Sequence, residues 1–285
     1  MMKDKYSKNS GGFLPKNVCG LCCLLLLWLM SSLVAHTAEV GGPISTDTTW
    51  AVTDSPFNMT ASVLVNSGST LTIEAGSVIN IGSNLGIQIS GTLIARGTSS
   101  QPIVFQPTSG TTPGSWGSIG FSDNSVDAVL TDGNYTSGSV LQYCQIKYGG
   151  GGGAMGMVVI TSASPLMDNC QIQYAATRGV YAASATGLLI QDCLISGNSS
   201  TTPTAEGSTA YGGGLYLSGS TSTLIGNTIN DNSITSSSSF DRAYGGGLYL
   251  SGGTYTLTGN TINANSITSS SPSYAYGGGL YLSGG

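Results

Sequence analysis

Two separate blocks of sequence recur in one register through the C-terminal third of the chain, which restricts it to folds whose copies stack on one another. Tyr211-Gly-Gly-Gly-Leu-Tyr-Leu-Ser-Gly returns at Tyr244 and again at Tyr276, spacings of 33 and 32 residues. Between the copies, Gly226-Asn-Thr-Ile-Asn-Asp-Asn-Ser-Ile-Thr-Ser returns from Gly259 with one change, Ala264 in place of Asp231. The unit reads as a Gly-led strand, a turn, a second strand ending in Asn, and a Ser-rich loop.

Looser copies run upstream. Cys144-Gln-Ile146, Cys170-Gln-Ile172 and Cys193-Leu-Ile195 align with Asn227-Thr-Ile229 and Asn260-Thr-Ile262. The isoleucines step by 26, 23, 34 and 33 residues, whereas from the residue after each leading Gly to the aligned Ile the distance stays at 15, 15, 14 and 14. Insertions therefore fall in one loop, as they do when each repeat is a coil with loops at one corner. Further upstream, Val63-Leu-Val65 pairs with Ile87-Gln-Ile89, and Leu71-Thr-Ile73 with Leu93-Ile-Ala95, in coils of about 22 to 24 residues. The apolar stretches are short and alternate, bounded by Gly, Ser or Asn, which is strand periodicity. A propeller blade takes about 40 to 45 residues and four strands, so units of this length predict a parallel β-helix instead. The predicted fold is all-β, a right-handed parallel β-helix of about eight coils, over residues 61–285, after an N-terminal cap or lead-in at 39–60.

Stacked coils place equivalent residues above one another at strand spacing, about 4.8 Å. Ile146, Ile172, Ile195, Ile229 and Ile262 should then form a buried ladder. Beside it runs Cys144, Cys170, Cys193, Asn227, Asn260, in which stacked amides satisfy one another. The cysteine spacings are coil periods and not metal-ligand spacings. They read as buried core thiols, with a disulfide between neighbouring coils as the alternative.

Residues 1–38 read as an export signal. Lys3, Lys5, Lys8 and Lys16 face one acid, Asp4, an apolar run follows over 18–35, and small residues close it at Ala38. An uncleaved membrane anchor is the alternative, since the run approaches spanning length. Beyond Ala38 remain Arg96, Lys147, Arg178 and Arg242 against twelve acids, a formal charge of 4 − 12 = −8. That excludes nucleic-acid binding, which needs a basic footprint. Charged residues are 7% of the chain against about 25% in an ordinary domain. With 40% apolar residues this is not a disordered composition, and it suits a thin solenoid core.

Gly68-Ser-Thr-Leu-Thr-Ile-Glu-Ala-Gly76, Gly91-Thr-Leu-Ile-Ala-Arg-Gly-Thr98, Gln101-Pro-Ile-Val-Phe105 and Trp116-Gly-Ser-Ile119 resemble the N-terminal coils of the pectate-lyase-like superfamily of right-handed β-helices. The Gly-Gly-Gly-Leu-Tyr repeats are similar to those of polymorphic outer-membrane and other surface β-helix proteins. Together the resemblance covers about three quarters of the chain. It specifies fold well and function poorly, because this superfold hosts lyases, hydrolases, adhesins and stalks.

The motifs weigh against an enzyme. The one histidine, His36, lies in the expected signal, which removes Ser-His-Asp and Cys-His nucleophile systems from the mature chain. The resemblance implies, for hydrolases of this fold, an Asp-Asp pair, a His-Gly and an Arg-x-Lys, and for lyases clustered acids for Ca²⁺ with a basic residue. None of these patterns occurs. No catalytic residue, metal ligand or cofactor motif is assigned, and Asp231 with Asn230 and Asn232 reads as a surface turn. Alternation in Gly-Leu-Tyr-Leu turns the leucines inward and sets Tyr181, Tyr216, Tyr249 and Tyr281 in an exposed row. Such a row suits the apolar faces of sugar rings, while the alternative is stacking that merely stabilises the sheet. The expected role is that of a secreted or cell-surface protein with a structural, adhesive or glycan-contacting function. Its partner would be a polysaccharide or cell-surface glycan. The alternative is a polysaccharide-degrading lyase or glycoside hydrolase. Membrane contact is expected only through the signal or an anchor in a missing C-terminal part, because the repeat stops at Gly285 with no cap in view.

Overall fold

A computed structural model describes residues 37–201, 207–236, 238–269 and 273–284, so the expected signal, apart from Thr37 and Ala38, lies outside the described residues. The chain winds as a right-handed parallel β-helix with three strand-bearing faces. Its C-terminal coils carry further short strands in two three-stranded sheets, Ser199–Thr201, Ser233–Ser236 and Ser266–Ser269, and Thr209–Tyr211, Arg242–Tyr244 and Tyr274–Tyr276. On the first face lie Ile87–Ile89, Ile119–Phe121, Gly156–Thr161, Arg178–Ala183, Leu215–Ser218, Leu248–Ser251 and Leu280–Ser283. The second face is an eight-stranded sheet from Thr48–Trp50 to Thr254–Thr258. The third runs from Val78–Ile81 through Cys144–Lys147 and Gln171–Gln173 to Thr261–Asn263. Strand Phe57–Val65 belongs to the first and third faces together, pairing Phe57 with Ile79 and Val63 with Ile87. Residues 39–60, expected as a lead-in, already carry strands of these sheets: Ala38–Ile44 pairs with Phe57–Val65, and Thr48–Trp50 with Thr70–Ile73. The one antiparallel pairing among the described strands is a hairpin, Val129–Thr131 with Asn134–Ser137, inserted between the first and second faces.

Single residues with positive φ make the corners. Between the second and third faces these are Tyr143, Asn169, Asp192, Gly226 and Gly259, at φ 49°, 53°, 51°, 64° and 64°. Asp231 and Ala264 hold the next corner at φ 55° and 50°, so Asp231 is a turn residue as expected. A left-handed residue reverses the chain in one step and keeps every coil in register with the last.

The interior is a set of ladders. Ile146, Ile172, Ile195 and Ile229 are fully buried and Ile262 half-buried, paired coil to coil as the repeat predicts. Asn227 Nδ2 donates to Asn260 Oδ1 at 2.9 Å and to the Ile190 carbonyl at 2.8 Å, and Asn260 Oδ1 also accepts the Asn227 backbone N–H at 2.9 Å. A second ladder, not read from the sequence, runs through Asn198, Asn232 and Asn265 with the same pattern at 2.9 and 3.0 Å. The three cysteines are buried, free thiols that continue the first ladder. Cys170 follows that scheme: its S–H points to the Leu141 carbonyl at 3.2 Å and its N–H donates to Cys193 Sγ at 3.3 Å. Sulfur thus takes both roles of the Asn amide at the same corner.

Candidate functional site

The outward positions of the first face hold the tyrosines. Register pairs Tyr181 with Tyr216, Tyr216 with Tyr249 and Tyr249 with Tyr281. Their rings lie parallel within 8°, with centroids 4.9, 5.1 and 5.7 Å apart. A second row, Tyr211, Tyr244 and Tyr276, comes from Thr209–Tyr211, Arg242–Tyr244 and Tyr274–Tyr276, and stacks at 5.3 and 5.0 Å. Rings of the two rows meet edge to face or tilted, as in Tyr211 against Tyr249 at 4.7 Å and Tyr244 against Tyr281 at 4.9 Å. The signal for this second row stood in the sequence, since each copy of the repeat opens on a tyrosine five residues before the first-row one. It was invisible as a neighbour because the left-handed glycines Gly212, Gly245 and Gly277 turn the chain between the two.

The first row is less exposed than alternation suggests. Tyr249 is buried at 7% exposure, and Tyr181, Tyr216 and Tyr281 are half-buried. Stacking consumes the ring faces and the second row covers their flanks, so the surface offered is one of ring edges and hydroxyls. Arg178 closes one end. Its Nε donates to the Tyr211 carbonyl at 2.6 Å and Nη1 to the Met155 carbonyl at 2.9 Å, while the guanidinium lies 5.8 Å from the Tyr181 ring centre and 5.3 Å from that of Tyr216. Burial draws the Arg178 pKa down, opposed by the tyrosines. Burial likewise raises Tyr181 and Tyr211 above the ordinary phenol value, so both hydroxyls remain neutral donors at physiological pH.

Elsewhere several charged side chains are tied into the scaffold. Asp168, nearly buried, accepts from Gln142 at 2.6 Å, Asn169 at 2.7 Å and Gln191 at 3.1 Å. Arg96 donates to Gln142 at 2.9 Å and lies over the Tyr135 ring, and Lys147 donates to Gln145 at 3.1 Å. Asp241 is fully buried and caps the loop backbone at Ser208 and Ser238 at 3.0 and 2.9 Å. Among the described residues no group of three His, Cys, Asp or Glu is placed to hold a metal ion.

A family model described as "Right handed beta helix region" matches residues 114–285, and one described as "Pectate-lyase like beta helix domain" matches residues 42–154. No curated protein and no solved structure gives a match. With the first model covering more than half of the chain, and the coils, corners and ladders in place, the chain belongs to the right-handed β-helix family.

Proposed function

We propose that this protein is an exported or cell-surface scaffold with a structural or adhesive role, which contacts polysaccharide or cell-surface glycans through its tyrosine face. The observation that supports this reading is the use of its aromatic residues: seven tyrosines form a continuous two-row surface in register with the coils. A surface of this kind repeats with the fold and does not converge on one reacting bond. Glycan hydroxyls would meet the ring edges and phenol hydroxyls, because the ring faces are spent on one another.

The second reading, a polysaccharide lyase or glycoside hydrolase, is favoured by the pectate-lyase-like description of residues 42–154. One experiment separates the two: the full-length chain is incubated with a panel of polysaccharides, and both retention and release of unsaturated or reducing ends are measured. The scaffold reading expects retention without release, weakened by Tyr216→Ser. Release of new chain ends would overturn it.

A further inference from the structure

Away from the tyrosine face, the corner between the second and third faces carries a groove of about 290 Å³ lined by Thr98, Ser99, Pro102, Tyr143, Asn169, Gln171 and Asp192, among others. We infer that this groove binds a short stretch of uncharged oligosaccharide. The proposal extends the glycan-contacting reading to a second site that does not use the tyrosine rows.

Three observations support it. First, Tyr143, Asn169 and Asp192 occupy left-handed positions that the two following coils give to Gly226 and Gly259. Asn and Asp tolerate a left-handed conformation, but for a bulky residue such as Tyr143 it is strained, and strain of this kind gathers at ligand sites. Three consecutive coils hold a chemically useful side chain where glycine would fit more easily. Second, these groups face the groove with capacity to spare. Among the described residues, the Tyr143 hydroxyl, the Gln171 amide and the Asp192 carboxylate make no side-chain hydrogen bond, and no aromatic ring stacks on Tyr143. The Asn169 amide is aimed by its N–H bond to buried Asp168, which leaves Asn169 Oδ1 as an acceptor. Third, the groove is closed along the helix axis by the loop at 98–102 on one side and by Asp192, which leans over Gly226, on the other.

The chemistry selects the ligand class. The corner amides are already paired coil to coil, Asn169 N–H to the Gln191 carbonyl at 3.1 Å and Asp192 N–H to the Ile225 carbonyl at 2.9 Å. An extended peptide therefore finds no strand edge to join. What the groove offers is an aromatic face, two amides, a carboxylate and small hydroxyls, a set that fits a polyhydroxylated ring. The Asp192 carboxylate repels an acidic sugar, and Lys147 is engaged with Gln145.

The test is titration of the full-length chain with neutral hexasaccharides of glucose, mannose, galactose and xylose, and with an oligogalacturonate of the same length. Tyr143→Gly and Asp192→Gly are the diagnostic variants, because glycine at these corners relieves strain and keeps the fold. The expected result is binding of at least one neutral hexasaccharide, no binding of the acidic one at this site, and about a tenfold loss of affinity in Tyr143→Gly. Thr254→Ala, exposed on the second face and in neither site, should leave this binding unchanged. Absence of neutral binding, or binding that the two glycine variants do not weaken, overturns the inference. Binding lost only in Tyr216→Ser overturns it too and leaves the tyrosine-face reading standing.

Discussion

At a buried corner of this solenoid, the identity of a residue is set by hydrogen-bond arithmetic more than by size. Asn232 shows it: its Oδ1 accepts from Asn198 N–H and Nδ2 at 3.1 and 2.9 Å, and its Nδ2 donates to the Ile195 carbonyl at 2.8 Å. Nδ2 also donates to Asn265 Oδ1 at 3.0 Å, so Asn232→Ala takes a partner from two donors and two acceptors, and a group left unsatisfied costs about 1–3 kcal/mol. Urea unfolding should therefore show a loss several times that of an exposed substitution. Cys170→Asn should be mild by the same measurement, since sulfur at that corner already plays the amide's part. Ile229 tests the core: Ile229→Ala should cost about 2–5 kcal/mol, and Ile229→Asp should unfold neighbouring coils. Tyr216→Ser should leave the fold intact at a cost of about 0.5–1.5 kcal/mol for each lost ring contact. The Ile ladder and the Cys/Asn ladder were legible because inward positions repeat with the coil. The Asn198 ladder was in plain sight at the aligned Asn232 and Asn265, but a polar residue ending a strand reads first as a turn.

Strands and corners carry the electrostatic consequences. Tyr181 and Tyr211 have pKa values raised by burial. Burial also lifts Cys144 and Cys193 well above the ordinary thiol range. A folded-state pKa above the unfolded one means that the folded state holds its proton longer. The associated stability is whole below the unfolded pKa and is lost as pH rises through the folded value. With an unfolded value of about 10 for Tyr, the two buried phenols should make the melting temperature fall above about pH 10. Tyrosinate absorbance should appear later in the folded chain than in urea. An unshifted phenol titration would mean that the two rows do not bury each other. At this scale the sequence reading was right about which positions share a face. It erred on exposure, because alternation gives the direction of a side chain and not what another strand lays against it.

On the scale of the whole coil stack, the fold was readable because every level of the sequence repeats the same instruction: strand period, corner residue and coil length. The number of strands in a coil was legible only as two or three, since the second-face strands such as Thr221–Ile225 and Thr254–Thr258 carry few apolar residues and blend into the Ser/Thr background. The groove at Tyr143 was also illegible, for it brings together side chains 23 to 26 residues apart whose common corner appears only when the coils are stacked. The stacking itself is the central claim, and it has a direct ruler. Thr72 and Thr256 lie on the outer surface of the second face, six strand steps apart along one row. With Cys19, Cys22 and Cys23 replaced by serine, spin labels at Thr72→Cys and Thr256→Cys should give a narrow dipolar distance near 29 Å, six times the strand spacing of about 4.8 Å. A broad distribution, or a narrow one far from that value, would contradict the in-register β-helix.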